Sequence, residues 1–154
     1  MTSQCDYINL LQTALEDFLG VSSLANYELS QNELELQVLP PPHRPSKLPM
    51  GKMAVYGFAH SGEWLKIGMA GPNSSARFHS QHYNPKSARS TLAASLIRDK
   101  TFWSSIPHSD DEVGQWLKSE VFRFNIFVNA EHPKELIKLL EAFLHLRLKP
   151  RYEG

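Results

Sequence analysis

The sequence predicts an α+β fold: a small antiparallel three-stranded sheet, hairpin plus third strand, flanked by helices. Three observations carry this reading. Two β-type runs, MAVYGFA and EWLKIGM, flank His60-Ser61-Gly62-Glu63, a hairpin signature. A third apolar run, VFRFNIFV at 121–128, precedes the helical pattern HPKELIKLLEAFLHLRL. The order hairpin, helices, strand, helix suits segregated layers with a small antiparallel sheet.

Each element has its own signal. CDYINLLQTALEDFLG reads as an amphipathic helix, with Ile8, Leu11, Leu15, Phe18 and Leu19 at helical spacing and Gly20 as its stop. ELELQVL, 33–39, alternates like a strand, so residues 1–39 form an N-terminal helix-strand extension. Residues 40–50 contain Pro40, Pro41, Pro42, Pro45 and Pro49 and read as a semi-rigid connector. Residues 51–154 then form the main domain. After the hairpin, a Gly-Pro turn with Asn73 and Ser74 opens a helix carrying Arg77, and Asn84-Pro85 ends it. A second helix is expected over 87–99, with Leu92 and Leu96 one turn apart. Ser109-Asp110-Asp111-Glu112 reads as a capping box for a short helix through Trp116 and Leu117. Those acids suit a helix N-terminus and are read as structural. The last helix has Pro133 in its first turn and Pro150 beyond its end.

The chain has 154 residues and one cysteine, Cys5, which excludes an internal disulfide framework and a multi-cysteine metal site. No apolar run approaches membrane-spanning length, and MTSQCDYINL lacks the basic start of a signal peptide, so a cytoplasmic protein is expected. Net charge is zero but unevenly spread. Residues 1–39 hold Asp6, Glu16, Asp17, Glu28, Glu33 and Glu35 and no lysine or arginine; residues 40–98 hold eight basic residues and only Glu63 as acid. Either a basic working surface hides inside a neutral total, or solvated charges have segregated by chance.

Tyr56 and Lys66 are the unusual residues of the hairpin. An even loop would set them on opposite faces; an odd one, with Gly62 left-handed, sets them together. The odd register also gathers Val55, Gly57, Ala59, Leu65, Ile67 and Met69 on one apolar face, leaving Tyr56, Phe58, Trp64 and Lys66 on a partly exposed one. A lysine beside a phenol lowers the phenol pKa from about 10, as a general base requires. An ordinary amphipathic edge pair is the other reading of this spacing. Glu141 has Ile137 one turn before it and Leu144 and His145 after; a carboxylate among apolar neighbours either binds a cation or reaches solvent.

These residues resemble a family. Ala54-Val55-Tyr56 and Lys66-Ile67-Gly68 stand where the two motifs of the GIY-YIG nuclease superfamily would be, in its Lys-Ile-Gly variant. Arg77 matches the arginine of the next helix and Glu141 the metal-binding glutamate of the late helix. The similarity runs over residues 53–151 and extends to small bacterial members. It implies a metal-dependent endonuclease in which Glu141 binds one Mg²⁺ or Mn²⁺. Tyr56 would then take a proton from water, Lys66 would keep the phenol acidic or contact phosphate, and Arg77 would neutralise phosphoryl charge. Where the family usually has His, Tyr or Lys one turn after the arginine, this chain has Gln81, and His82 is preferred over His79 and Tyr83 as its replacement. No asparagine follows Glu141, so Lys149 or Arg151 would take over its contacts.

The expected partner is nucleic acid, with DNA as the first choice. Lys86, Arg89, Arg98, Arg123 and Asn125 are candidate backbone contacts, and Phe58, Trp64 and Tyr83 candidate stacking platforms. Two other functions fit the same residues: a non-catalytic nucleic-acid-binding module, or a regulatory protein engaged through its acidic N-terminal part, as a homodimer or with another protein. The acidic first 39 residues either gate the basic surface, in which case their removal raises affinity, or serve as scaffold.

Overall fold

The computed structural model describes residues 3–88, 91–99 and 109–152. Helix α1 spans Gln4–Leu24, strand β1 Glu35–Leu39, and the hairpin strands β2 and β3 Lys52–His60 and Glu63–Ala70. Helices α2 (Ser75–His79), α3 (Leu92–Arg98) and α4 (Asp110–Glu120) follow, then strand β4 (Phe122–Asn129) and helix α5 (Lys134–Leu148). The sheet is antiparallel in the order β1-β4-β2-β3. It is therefore four-stranded, not three-stranded. The extra strand is β1, which the sequence placed in the extension and which pairs with β4 from Glu35↔Phe127 to Leu39↔Arg123.

Both faces of the sheet are covered. Against one face, Leu11, Ala14 and Phe18 of α1 and Leu136, Ile137, Leu140 and Leu144 of α5 enclose Val55, Ile67, Phe124 and Ile126. Against the other, Phe78, Leu92, Leu96, Val113 and Leu117 enclose Tyr56, Phe58, Leu65 and Phe127. Helix α1 runs past Gly20, which is exposed with open space beside it, and stops where Asn26 takes a left-handed φ of 58°. Leu11 and Phe18 are wholly buried and β1 is paired along its length, so α1 packs on the sheet and β1 extends it. Their acids are partly spent on local pairs: Glu35 with Lys52 at 3.0 Å and Asp17 with Arg147 at 2.8 Å. Helix α4 starts at Asp110, but Ser109 makes no side-chain capping bond there.

The hairpin turn differs from the expected odd loop. Ser61 and Gly62 alone form it, with φ of 51° and 80°, the two positive values of a type I′ turn. The odd step comes instead from a bulge. Phe58 pairs with Lys66 while Ala59 pairs with Trp64, leaving Leu65 as the extra residue. Tyr56 and Lys66 thus share a face as expected, but Leu65 joins their side and Trp64 moves to the opposite one.

Beyond α5 the chain returns along the free edge of β3. The Arg151 and Tyr152 amides donate to the carbonyls of Trp64 and Leu65, both at 2.9 Å. Among the described residues no helix is long and apolar enough to cross a membrane.

Candidate active site

Because β3 is an edge strand, helices from both faces of the sheet reach its rim. Lys66 points to the α2 side and Arg77 stands on α2, while Glu141 comes from α5 on the other side. These three line one cleft of 210 Å³ with Ile67, Gly68, Met69 and His145. The sequence therefore brings Lys66, Arg77 and Glu141 together from separate elements.

Tyr56 lies just behind this cleft. Its strand partner is Gly68, and a Cβ on Gly68 would stand 2.8 Å from the Tyr56 hydroxyl. The bare glycine is what lets the phenol extend to the rim. Tyr56 is fully buried, against the expected partly exposed surface. Burial pushes its pKa up to about 12, with Arg77 and Arg123 pulling the other way. The expected acidification by Lys66 is therefore absent: desolvation of a phenolate outweighs nearby positive charge.

His82 meets Tyr56, its Nε2 lying 2.6 Å from the hydroxyl oxygen. Helix α2 stops at His79 and a 3₁₀ turn covers Gln81–Tyr83, so the chain tightens and residue 82 swings inward. The direction of this hydrogen bond follows from His82's other nitrogen. Nδ1 accepts the Leu92 amide at 3.1 Å, one of the free N–H groups at the start of α3. Burial, with repulsion from Arg77, Lys66 and Arg123, lowers the His82 pKa to about 3, so the ring is neutral. A neutral imidazole that accepts at Nδ1 carries its proton on Nε2. His82 therefore donates to Tyr56, whose own proton stays available for another acceptor.

Lys66 is 1% exposed, and its ammonium has no hydrogen-bond partner among the described residues. Burial, with repulsion from Arg77 and Arg98, lowers its pKa to about 8 against the attraction of Glu141. Glu141 is half-buried; its pKa is raised by burial, opposed by His145, Arg77 and Lys66. No lysine or arginine among the described residues forms an ion pair with Glu141.

Several expected nucleic-acid contacts are buried instead. Arg123 is completely enclosed because β4 is an inner strand with both faces covered. Its guanidinium donates to Asn125 Oδ1 at 2.9 Å, Tyr83 Oη at 3.1 Å and the Phe78 carbonyl at 2.6 Å. It also lies 4.7–5.8 Å from the ring centres of Tyr56, Phe58, Phe78 and Tyr83, an aromatic cage with cation–π geometry. Asn125, also fully buried, donates to Gln37 on β1. Tyr83 is locked between Arg123 and His43, Phe58 is wholly buried, and Trp64 packs edge-on against Tyr7 at 5.2 Å. None of these offers a free face for a base. Arg151 is held by Asp99 at 2.9 Å and Glu63 at 3.5 Å, latching the chain end rather than pointing at the cleft. Lys86 is exposed beside Asp110, and Lys149 is exposed in a left-handed conformation after α5. Arg89 lies outside the described residues.

Sequence reading missed two groups. His145 sits four residues after Glu141 on α5, with 3.8 Å between its Nε2 and Glu141 Oε1. The same nitrogen is 3.2 Å from the Ile67 carbonyl. The i,i+4 spacing was a visible signal; the carbonyl of an edge strand was not. Family models, curated proteins and solved structures were compared with the chain, and none matches.

Proposed function

We propose that this protein is a metal-dependent endonuclease hydrolysing phosphodiester bonds in DNA, with Lys66, Arg77, Glu141 and Tyr56 as its reacting set. One observation carries the reading: the buried ammonium of Lys66 has no hydrogen-bond partner among the described residues, and Lys66 lines a cleft with Arg77 and Glu141. A buried unpaired charge is costly unless a ligand completes it, and a phosphate oxygen is the matching acceptor.

Lys66 and Arg77 hold the non-bridging oxygens and offset the negative charge that grows on them. Glu141 fits the divalent cation, Mg²⁺ or Mn²⁺, that the family resemblance implies, being half-buried and not ion-paired to lysine or arginine. When bound, that ion supplies Lewis-acid polarisation of the phosphate. Tyr56 takes the proton of the attacking water. Burial keeps its phenol neutral in the free protein, so the phenol gives its proton to solvent as the substrate complex assembles, and the His82 N–H and the Arg77 charge stabilise the phenolate left behind. His82 is a positioning residue rather than a base.

A second reading, a non-catalytic nucleic-acid-binding module, is favoured by the burial of Tyr56 and its pKa of about 12. Labelled single- and double-stranded DNA, incubated with Mg²⁺, Mn²⁺ or EDTA, separates the two. Cutting that requires metal and falls by about 100-fold or more in Glu141→Gln is the expected result. Cutting that persists in EDTA or in that variant would overturn the proposal. Salt-sensitive binding without any cutting, equal in both proteins, would establish the binding module.

A further inference from the structure

We infer that the cation site is a three-donor one, made by Glu141 Oε1, His145 Nε2 and the Ile67 carbonyl oxygen, and that it selects a transition-series divalent ion over Mg²⁺. The inference rests on the reading of Glu141 as a cation site and specifies which ion it holds and how.

His145 Nε2 stands close to both of the other donors. His145 Nε2 lies 3.2 Å from the Ile67 oxygen and 3.8 Å from Glu141 Oε1. Two donors bonded to one ion at about 2.1 Å stand roughly 3.0 Å apart at an octahedral right angle and roughly 3.4 Å apart at the tetrahedral angle. The first separation falls within that interval. The second exceeds it by a few tenths of an ångström, a shift available to a glutamate side chain that is 28% exposed. All three residues line the same cleft. Among the described residues no larger group of His, Cys, Asp and Glu competes for a metal.

Without an ion, Nε2 carries the ring proton and donates it to Ile67. With one, the proton sits on Nδ1, and the ion takes the place between nitrogen and carbonyl oxygen. A carboxylate and a carbonyl are hard oxygen donors that suit Mg²⁺ and Mn²⁺ alike. An imidazole adds affinity along the series from Mn²⁺ towards Zn²⁺ and little for Mg²⁺, which prefers oxygen and water. His145 is thus the group that sets metal choice, and Glu141 the group that allows any metal.

The test is binding rather than turnover. Mn²⁺ is titrated into the full chain by electron paramagnetic resonance, with Mg²⁺ as competitor, for the wild type, His145→Gln and Glu141→Gln. The glutamine amide still donates to the Ile67 carbonyl, so the first variant removes the ligand while keeping the structural hydrogen bond. His145→Gln is expected to weaken Mn²⁺ by at least roughly tenfold and to leave Mg²⁺ nearly unchanged; Glu141→Gln should lose both. In ¹⁵N spectra of the wild type, trace Mn²⁺ should broaden the His145 ring signals before those of the other histidines, a readout that needs no variant to fold. Wild-type Mn²⁺ affinity in His145→Gln, or late broadening of His145, would overturn the inference and leave the Glu141 reading standing. Wild-type affinity in Glu141→Gln, or no Mn²⁺ binding by the wild type, would overturn both.

Discussion

Lys66 and Glu141 line one cleft without forming an ion pair, and this sets the behaviour of both. A lysine whose ammonium finds no acceptor destabilises the fold in the absence of ligand. Lys66→Met keeps the stem and removes the charge, so it should raise stability by about 1 kcal/mol or more. The same change should weaken binding of a short phosphodiester by about tenfold. Denaturant melts and a binding titration check the two halves. A variant less stable than wild type would mean that the ammonium has a native partner after all. Gly68 and Tyr56 form a second such pair, in which one residue matters for the side chain it lacks.

Among the elements, β4 does more than complete the sheet. Through Arg123 it grips the end of α2 at the Phe78 carbonyl and the following turn at Tyr83, and so fixes the segment that carries Arg77 and His82. Arg123→Met should cost about 3 kcal/mol or more, because the Phe78 carbonyl and Tyr83 hydroxyl lose a charged donor inside the core. Cleavage should fall with it even where the protein stays folded, because Arg77 directly precedes Phe78. A urea-monitored loss below about 1 kcal/mol would show that the cage does not depend on the charge. Sequence patterns exposed the helices and strands well, since apolar spacing records which side faces a core. They misjudged Arg123, Asn125 and Tyr83 for one reason, and Trp64 because the Leu65 bulge turns it to the α1 side. Polar and aromatic residues suggest an outer face, and nothing local announces that α2, α3 and α4 cover that side of the sheet or that β1 docks beyond β4. Tyr56, Lys66, Arg77 and Glu141 could be named because each has a residue type and place with chemical meaning. The His145 and Ile67 contacts depend on how α5 passes the edge of β3.

For the whole molecule, two histidines enclosed as neutral rings shape the response to acid. His82 is lowered to about 3 and His43 to about 4, each mainly by burial and further by neighbouring cations. An unfolded chain takes up those protons near pH 6.5 and the native one does not, so the unfolded state binds more protons throughout the interval. Stability contributed by His43 is therefore complete above about pH 6.5 and declines from there to about 4; that from His82 declines down to about 3. Each histidine adds a slope of up to about 1.4 kcal/mol per pH unit within its window. Thermal melts between pH 7 and 4 should show this fall, and His82→Gln and His43→Gln should flatten it; a curve unchanged by either would exclude these rings as the source. The chain end on β3 has a different consequence. An unpaired sheet edge is an invitation to a stray strand from another molecule. The Arg151 and Tyr152 amides occupy the Trp64 and Leu65 carbonyls, so an intruder finds no continuous ladder on which to start. The opening that remains beside Lys66 and Gly68 leaves the cleft accessible while denying fibre growth a foothold.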